Sequence, residues 1–210
     1  MGSDRRETEG DGQVSKVIFT LELWKIRGFM LDYLAGLAAG DGSITLDKYG
    51  RWRVRIFDAS KEFLEALCML INADMKYNCR IHWDGTVWYL SIYSEELAKA
   101  LKPRLTNPID THEWVKGFVD AEGSIYKWVC RNNKVYYQVA ITNTNINYIE
   151  IIENEKVLKN LEIEYRVAIT RDMWKPRYRV LINKRESLRR FLMEVGFRHP
   201  LKAERARHIL

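Results

Sequence analysis

The chain is poor in the residues that define several large protein classes. Its 210 residues contain three cysteines, Cys68, Cys79 and Cys130. That number is small, odd and without close metal-ligand spacing, so reduced, mostly buried thiols and an intracellular setting are expected. The four histidines, His82, His112, His199 and His208, match no zinc pattern such as H-E-x-x-H, and zinc is not expected. No apolar run is long enough for a membrane span. The polar, Gly-rich start carries Arg5-Arg6 but no apolar segment after it, which excludes a signal peptide and predicts a leader, disordered in part, over residues 1–25. Of only four prolines, Pro103 and Pro108 share one short segment, so residues 102–110 are expected to be a linker between a first half, 26–101, and a second, 111–210.

What remains is the composition of an ordinary soluble globular protein, 47% hydrophobic and 30% charged. Thirty-four Lys and Arg against 28 Asp and Glu leave a net charge of +6 and a pI near 9.2, a balance that suits an anionic partner.

Two segments repeat one pattern. Leu34-Ala35-Gly36-Leu37-Ala38-Ala39-Gly40-Asp41-Gly42-Ser43-Ile44 is matched by Val115-Lys116-Gly117-Phe118-Val119-Asp120-Ala121-Glu122-Gly123-Ser124-Ile125. The offset is 81 residues throughout (122 − 41), which marks a duplicated unit. Around each copy the periodicity predicts the same order of elements. In the first half it gives a helix over 28–40, strands over 43–47 and 51–58, a helix from the N-cap Ser60 to about 72, strands over 78–83 and 86–93 around Asp84-Gly85, and a helix over 94–101. In the second it gives a helix over 111–121, strands over 124–130 and 134–142, a helix over 147–161, strands over 164–170 and 177–182, a helix over 186–195 and a basic tail over 199–210. Two pseudo-symmetric α-β-β-α-β-β-α halves with antiparallel sheets follow, an α+β architecture.

Gly36 and Gly40 lie on one stripe of the first repeated helix, as Gly117 and Ala121 do on the second. Small residues at that spacing let two helix backbones approach closely. Parallel packing of the two stripes would bring Asp41 and Glu122 together at helix C-termini, where the helix dipole and mutual repulsion both oppose ionisation. A hard divalent cation reverses that penalty. Asp41, Glu122 and the carbonyls of Gly40 and Ala121 would suit Mg²⁺ or Mn²⁺ as oxygen ligands.

These two segments resemble the signature of the LAGLIDADG homing endonucleases, in their single-chain, two-motif form. The first copy matches the nine-letter signature at Leu34, Ala35, Gly36, Leu37, Asp41 and Gly42; the second matches at Gly117, Asp120, Ala121 and Gly123, with Glu122 in place of Asp. The resemblance implies a DNA-binding saddle with the motif helices at its centre. It implies a monomer that cuts both strands of a long, asymmetric double-stranded DNA site with divalent metal and no organic cofactor, Asp41 and Glu122 being the acids. An intron-encoded enzyme acting on its host genome is expected; a splicing maturase that binds its intron RNA, or a non-cleaving DNA-binding regulator, is the alternative. Asp58 and Asn143 fall where such proteins place polar residues beside the scissile phosphate, and Lys202 matches a lysine of the C-terminal segment near the active site. The first half shows no counterpart near Lys102.

The strand pattern supplies the DNA-facing groups. Alternation puts Arg51, Arg53 and Arg55 on one face and Trp52, Val54 and Ile56 on the other. The same split separates Tyr136, Gln138 and Ala140 from Val135, Tyr137 and Val139, and Arg177 and Arg179 from Tyr178 and Val180. Arg80, His82, Lys127, Arg131, Lys134, Arg166, Arg171 and Lys175 complete the expected DNA contacts. Arginines suit guanine edges, Gln138 suits adenine and lysines suit phosphates. Most of the seven tryptophans, among them Trp52, Trp88 and Trp114, fall at packing positions.

Overall fold

The computed structural model describes residues 27–171 and 175–209; the expected leader lies outside the described residues. The first half comprises α1 (Arg27–Asp41), β1 (Gly42–Leu46), β2 (Trp52–Asp58), α2 (Lys61–Leu70), a π-helical turn (Ile71–Met75), β3 (Cys79–Trp83), β4 (Trp88–Tyr93) and α3 (Glu95–Arg104). The second comprises α4 (Thr111–Glu122), β5 (Gly123–Val129), β6 (Val135–Asn143), α5 (Ile146–Asn154), α6 (Val157–Asn160), β7 (Arg166–Arg171), β8 (Pro176–Ile182), α7 (Arg185–Glu194) and α8 (Pro200–Ala206). Each half holds one four-stranded antiparallel sheet, in the orders β1-β2-β4-β3 and β5-β6-β8-β7. The predicted α+β class and the duplication are both present.

Local chemistry sets the boundaries. Ser60 caps α2 by accepting from the Phe63 amide at 3.2 Å, and Ser94 and Asp110 cap α3 and α4 in the same way. Asp84 closes its hairpin by accepting from the amides of Thr86 and Val87, both at 2.9 Å, while Gly85 takes φ 102°, a conformation glycine reaches without strain.

One face of each sheet is covered by helices. Val54, Ile56, Leu90 and Ile92 meet Phe63, Leu64, Leu67, Leu97 and Leu101. Val139, Ile141, Val180 and Ile182 meet Ile149, Ile152, Leu188 and Phe191. Burying each of these side chains contributes roughly 1.5–3 kcal/mol. Helices α1 and α4 pack on each other between the halves, with Tyr33, Leu34, Trp114, Val115 and Phe118 buried, so one core runs through both.

Three helical features depart from the sequence reading. The expected linker begins as helix, because α3 runs on through Pro103 to Arg104. The ring there forfeits a single bond near the helix end, and the Arg104 guanidinium donates to the Ala100 carbonyl at 2.8 Å. Asp32 then receives the amides of Ile109 and Asp110, each at 3.1 Å. The long helix expected over 147–161 is broken at Lys156, which takes the left-handed φ of 52° between α5 and α6. The basic tail contains helix α8, whose Ala206 is buried with Ile209 behind it.

The cysteine expectation is overturned. Cys68 on α2 and Cys79 at the start of β3 are disulfide-bonded, with Cα atoms 5.8 Å apart, and the free Cys130 is exposed. The bond removes the cysteine-based argument for a reducing compartment. No helix among the described residues is long and apolar enough to cross a membrane.

Candidate active site

The small-residue stripes meet as the repeat predicts. A Cβ added to Gly36 would lie 2.0 Å from the Trp114 carbonyl oxygen, and one added to Gly117 would lie 2.0 Å from that of Tyr33. Nearer the helix ends, a Cβ on Gly40 would stand 2.4 Å from the Ala121 Cβ and 3.0 Å from the Glu122 Cγ. Helices α1 and α4 therefore run in the same direction with their backbones in contact, and Asp41 and Glu122 end them side by side.

The electrostatics follow from that placement. Burial, then the charge of Asp41, pushes the Glu122 carboxyl up to about 7, against the opposing pull of its bond from Asn143 and of Lys202. Asp41 is also raised, by burial and to a lesser degree by Asp58, with Lys202 opposing. The repulsion by Asp41 is thus among the causes that raise Glu122. Lys202 sits among these acids on α8. Its ammonium donates to the Ala121 carbonyl at 2.8 Å and to the Asp120 carbonyl, and burial lowers its proton affinity although four carboxylates act to raise it.

The C-terminal segment is held in place by α4. The buried Asp120 accepts from the Tyr33 hydroxyl at 2.6 Å and from the amides of Arg198 and His199 at 2.9 and 3.0 Å. Glu113 receives the Arg198 guanidinium in a two-pronged bond at 2.6 and 2.9 Å.

Of the expected accessory groups, Asn143 donates to Glu122 Oε1 at 2.6 Å. Asp58, at the corresponding end of β2, is bonded instead to His199 Nε2 at 3.1 Å. The Ala121 carbonyl, expected among the metal ligands, accepts from the Lys202 ammonium at 2.8 Å. Among the described residues no group of three or more His, Cys, Asp or Glu side chains gathers as a closed metal site. Two raised, adjacent carboxylates fit a hard cation that keeps several waters. Lys102 has its ammonium 4.2 Å from the Trp52 ring centre and is not part of this centre.

The sheet faces away from the helices flank the acids. In the first half that face carries Arg53, Arg55, Arg80 and His82 with Ser43, Tyr89, Ser91 and Tyr93, by the strand register. Arg55 donates to the Ser43 hydroxyl at 3.1 Å, and His82 stacks on Tyr89 and bonds Ser91. Arg51 lies just before β2, paired with Asp47 and set against Tyr93. In the second half Tyr126 pairs with Gln138, Trp128 with Tyr136, and Thr142 with Arg179. Beside Glu122, an open groove of about 670 Å³ is lined by Ser124, Tyr126, Thr142, Asn143, Arg177 and Arg179. Arg166 shares this face by register.

The structure does not bring all the expected contacts together. Lys127 pairs with Tyr137 and Arg171 with Pro176, on the opposite face from Tyr126 and Arg166. Ala140 lies on the open face but is fully covered by its neighbours. Arg131 and Lys134 project from the β5–β6 turn and Lys175 from the β7–β8 turn, all exposed. Sequence reasoning missed Ser124, Tyr126, Thr142, Ser43 and the exposed Trp128, which the alternation starting at Gly42 and Gly123 would have placed on this face.

Comparison with known proteins places this geometry. The sequence profile of the LAGLIDADG-like domain matches residues 28–106 and again 112–196. Homing endonuclease I-ApeI of Aeropyrum pernix is 27% identical, over 87% of this chain and 88% of that one. The crystal structure of I-DmoI in complex with DNA and Ca superimposes with a TM-score of 0.65 at 20% identity, covering 86% of this chain and 98% of that one. The LAGLIDADG meganuclease I-AabMI bound to uncleaved DNA gives a TM-score of 0.57 at 16% identity, covering 85% and 88%.

Proposed function

The chain belongs to the LAGLIDADG-like domain family, and from that premise we propose that it is a site-specific endonuclease that hydrolyses one phosphodiester in each strand of double-stranded DNA. The observation that carries this reading is the pair of raised carboxylates at two touching helix ends, between two sheets whose open faces carry arginines. The matching relative is named a homing endonuclease, and neighbours of the same fold are described in complex with DNA and with Mn or Ca.

One chain supplies both acids and both sheets, so it acts as a monomer on a long site whose halves need not match. Asp41 and Glu122 would hold the divalent cation, Mg²⁺ or Mn²⁺. When bound, that ion activates a water and stabilises charge on the phosphate. Lys202 offsets the negative charge of the acids and, with its proton affinity lowered, is suited to hand a proton to the leaving oxygen. Arg53, Arg55 and Arg80 on one side, and Gln138, Arg177 and Arg179 on the other, read base edges or hold phosphates. The enzyme would act inside the cell on its host genome.

The test is strand cleavage in Mg²⁺ of the DNA formed by joining the sequences that flank the intron carrying the reading frame, by the parent, Asp41→Asn and Glu122→Gln. Metal-dependent cutting by the parent and its loss in both variants is the expected result. Salt-dependent binding without cutting would point to a non-cleaving binder, and cutting that survives both substitutions refutes the assignment.

A further inference from the structure

The two acids share a helix interface but not a common set of supporting groups. At the second acid the support is local: Asn143, at the end of β6, donates directly to Glu122. At the end of β2 the corresponding residue is Asp58, an acid beside an acid, and its charge raises Asp41. Two carboxylates cannot hydrogen-bond each other while both are ionised, so a side-chain donor to Asp58 comes from elsewhere.

That donor is His199. Its Nε2 lies 3.1 Å from Asp58 Oδ1, across 141 residues, and its ring packs on Phe63 with centres 4.6 Å apart. The residue is only 4% exposed, and its backbone amide is fixed on Asp120. Nδ1 is buried with no hydrogen-bond partner among the described residues. A carboxylate only accepts, so Nε2 must carry hydrogen. The Ser60 amide also donates to Oδ1, at 2.6 Å, so both bonds fall on one oxygen and Oδ2 stays outside them.

We propose that His199 is a positioning residue for the proposed DNA cleavage: it crosses from the C-terminal segment into the first half and fixes Asp58 beside Asp41, completing a half-site that the first half alone does not finish. The inference rests on the endonuclease reading and goes beyond it, because it makes the two strand cuts depend on different supports. Asp58 and His199 serve one, and Asn143 serves the other.

The experiment is strand-resolved cleavage of the end-labelled flanking-sequence DNA in Mg²⁺. His199→Phe keeps a ring on Phe63 and removes the donor. It should slow one strand about tenfold or more, leave the other within threefold, and accumulate nicked DNA. Asp58→Ala should slow the same strand and Asn143→Ala the opposite one. His199→Gln, whose amide can donate from nearly the same place, should restore most of the lost rate. Adding His199→Phe to Asp58→Ala should cost less than a further twofold. Equal slowing of both strands by His199→Phe, or no slowing, overturns the proposal, since a purely structural role would not divide the strands. Should the parent cut neither strand, the endonuclease reading falls by itself. His199 is then judged in the DNA-free protein, where its imidazole ¹⁵N shifts must report hydrogen on Nε2 and must move in Asp58→Ala; unmoved shifts overturn the assignment.

Discussion

Replacing Gly36 with alanine tests the physical premise of the whole centre, that two helix backbones touch. The added Cβ would stand 2.0 Å from the Trp114 carbonyl oxygen and 2.8 Å from the Phe118 amide nitrogen. An ordinary contact is longer by about 1 Å or more, and the obstacle is helical backbone, so no rotamer change relieves it. Overpacking of a tight core costs roughly 1–3 kcal/mol and sometimes more, and this contact belongs at the upper end. Alanine returns about 0.8–1.0 kcal/mol of helix propensity relative to glycine. A net loss of about 2–3 kcal/mol remains, or roughly 4–12 °C in Tm for a chain of this size.

Gly117→Ala makes the mirror-image clash, 2.0 Å from the Tyr33 carbonyl oxygen, and should cost about the same. The double variant should cost clearly less than the two losses combined, because helices already parted for one methyl make room for the other. Urea denaturation and calorimetry measure all three. Parting the helices also weakens the repulsion of Glu122 by Asp41, so the Glu122 titration, followed by NMR, should move below its parental value of about 7. A single variant as stable as the parent, or strictly additive losses, would refute close backbone packing as the device that brings the acids together.

Glu122→Gln should stabilise the metal-free protein above pH 7. Folded Glu122 keeps its proton up to about 7 whereas an unfolded glutamate releases it near 4.5, so parental stability falls as pH rises through that window. The variant should be about 1–2 kcal/mol more stable than the parent at pH 8, with partial exposure allowed for, and level with it near pH 4. Mg²⁺ should raise the parent's Tm at pH 8 and leave the variant's unchanged. Reduction of the Cys68–Cys79 bond, which closes a loop across a sequence separation of 11, should cost about 3 kcal/mol of stability by the loop-closure relation. Strand cleavage at temperatures where the reduced protein stays folded should be unaffected, because α2 and β3 hold the bond apart from the acids.

The parts legible in the sequence were those with a period or a copy. The 81-residue offset mapped Gly36 onto Gly117 and Asp41 onto Glu122, and the strand alternation sorted Arg53 and Arg55 from Val54 and Ile56. The same alternation held the information that Lys127 shares a face with the packing residue Ile125. The disulfide was not legible: Cys68 sits on a helix and Cys79 follows a π-helical turn, and a separation of 11 fixes no distance without that turn. The tail read as basic because Lys202, Arg205 and Arg207 stand against the single acid Glu204, yet Ala206 and Ile209 within it are buried. The contact of His199 with Asp58 spans 141 residues and has no local signature.

Duplication explains the acids but not what surrounds them. Asp32 and Glu113 occupy matching positions in the repeat, and each anchors a different segment: Asp32 the connection into α4, Glu113 the Arg198 side chain. The second of these anchors, with Asp120, seats the stretch from Arg198 to Lys202 over the ends of both motif helices. A duplicated unit would offer two such stretches, but among the described residues only the one from Arg198 to Lys202 is seated there. In the first half the corresponding stretch runs on into α4, with Lys102 directed to Trp52. A single C-terminal segment therefore supplies both Lys202 to the shared acids and His199 to Asp58. Symmetry holds where the halves touch each other and fails where the stretch from Arg198 to Lys202 meets them, so the unequal support of the two acids follows from one segment serving a two-fold scaffold.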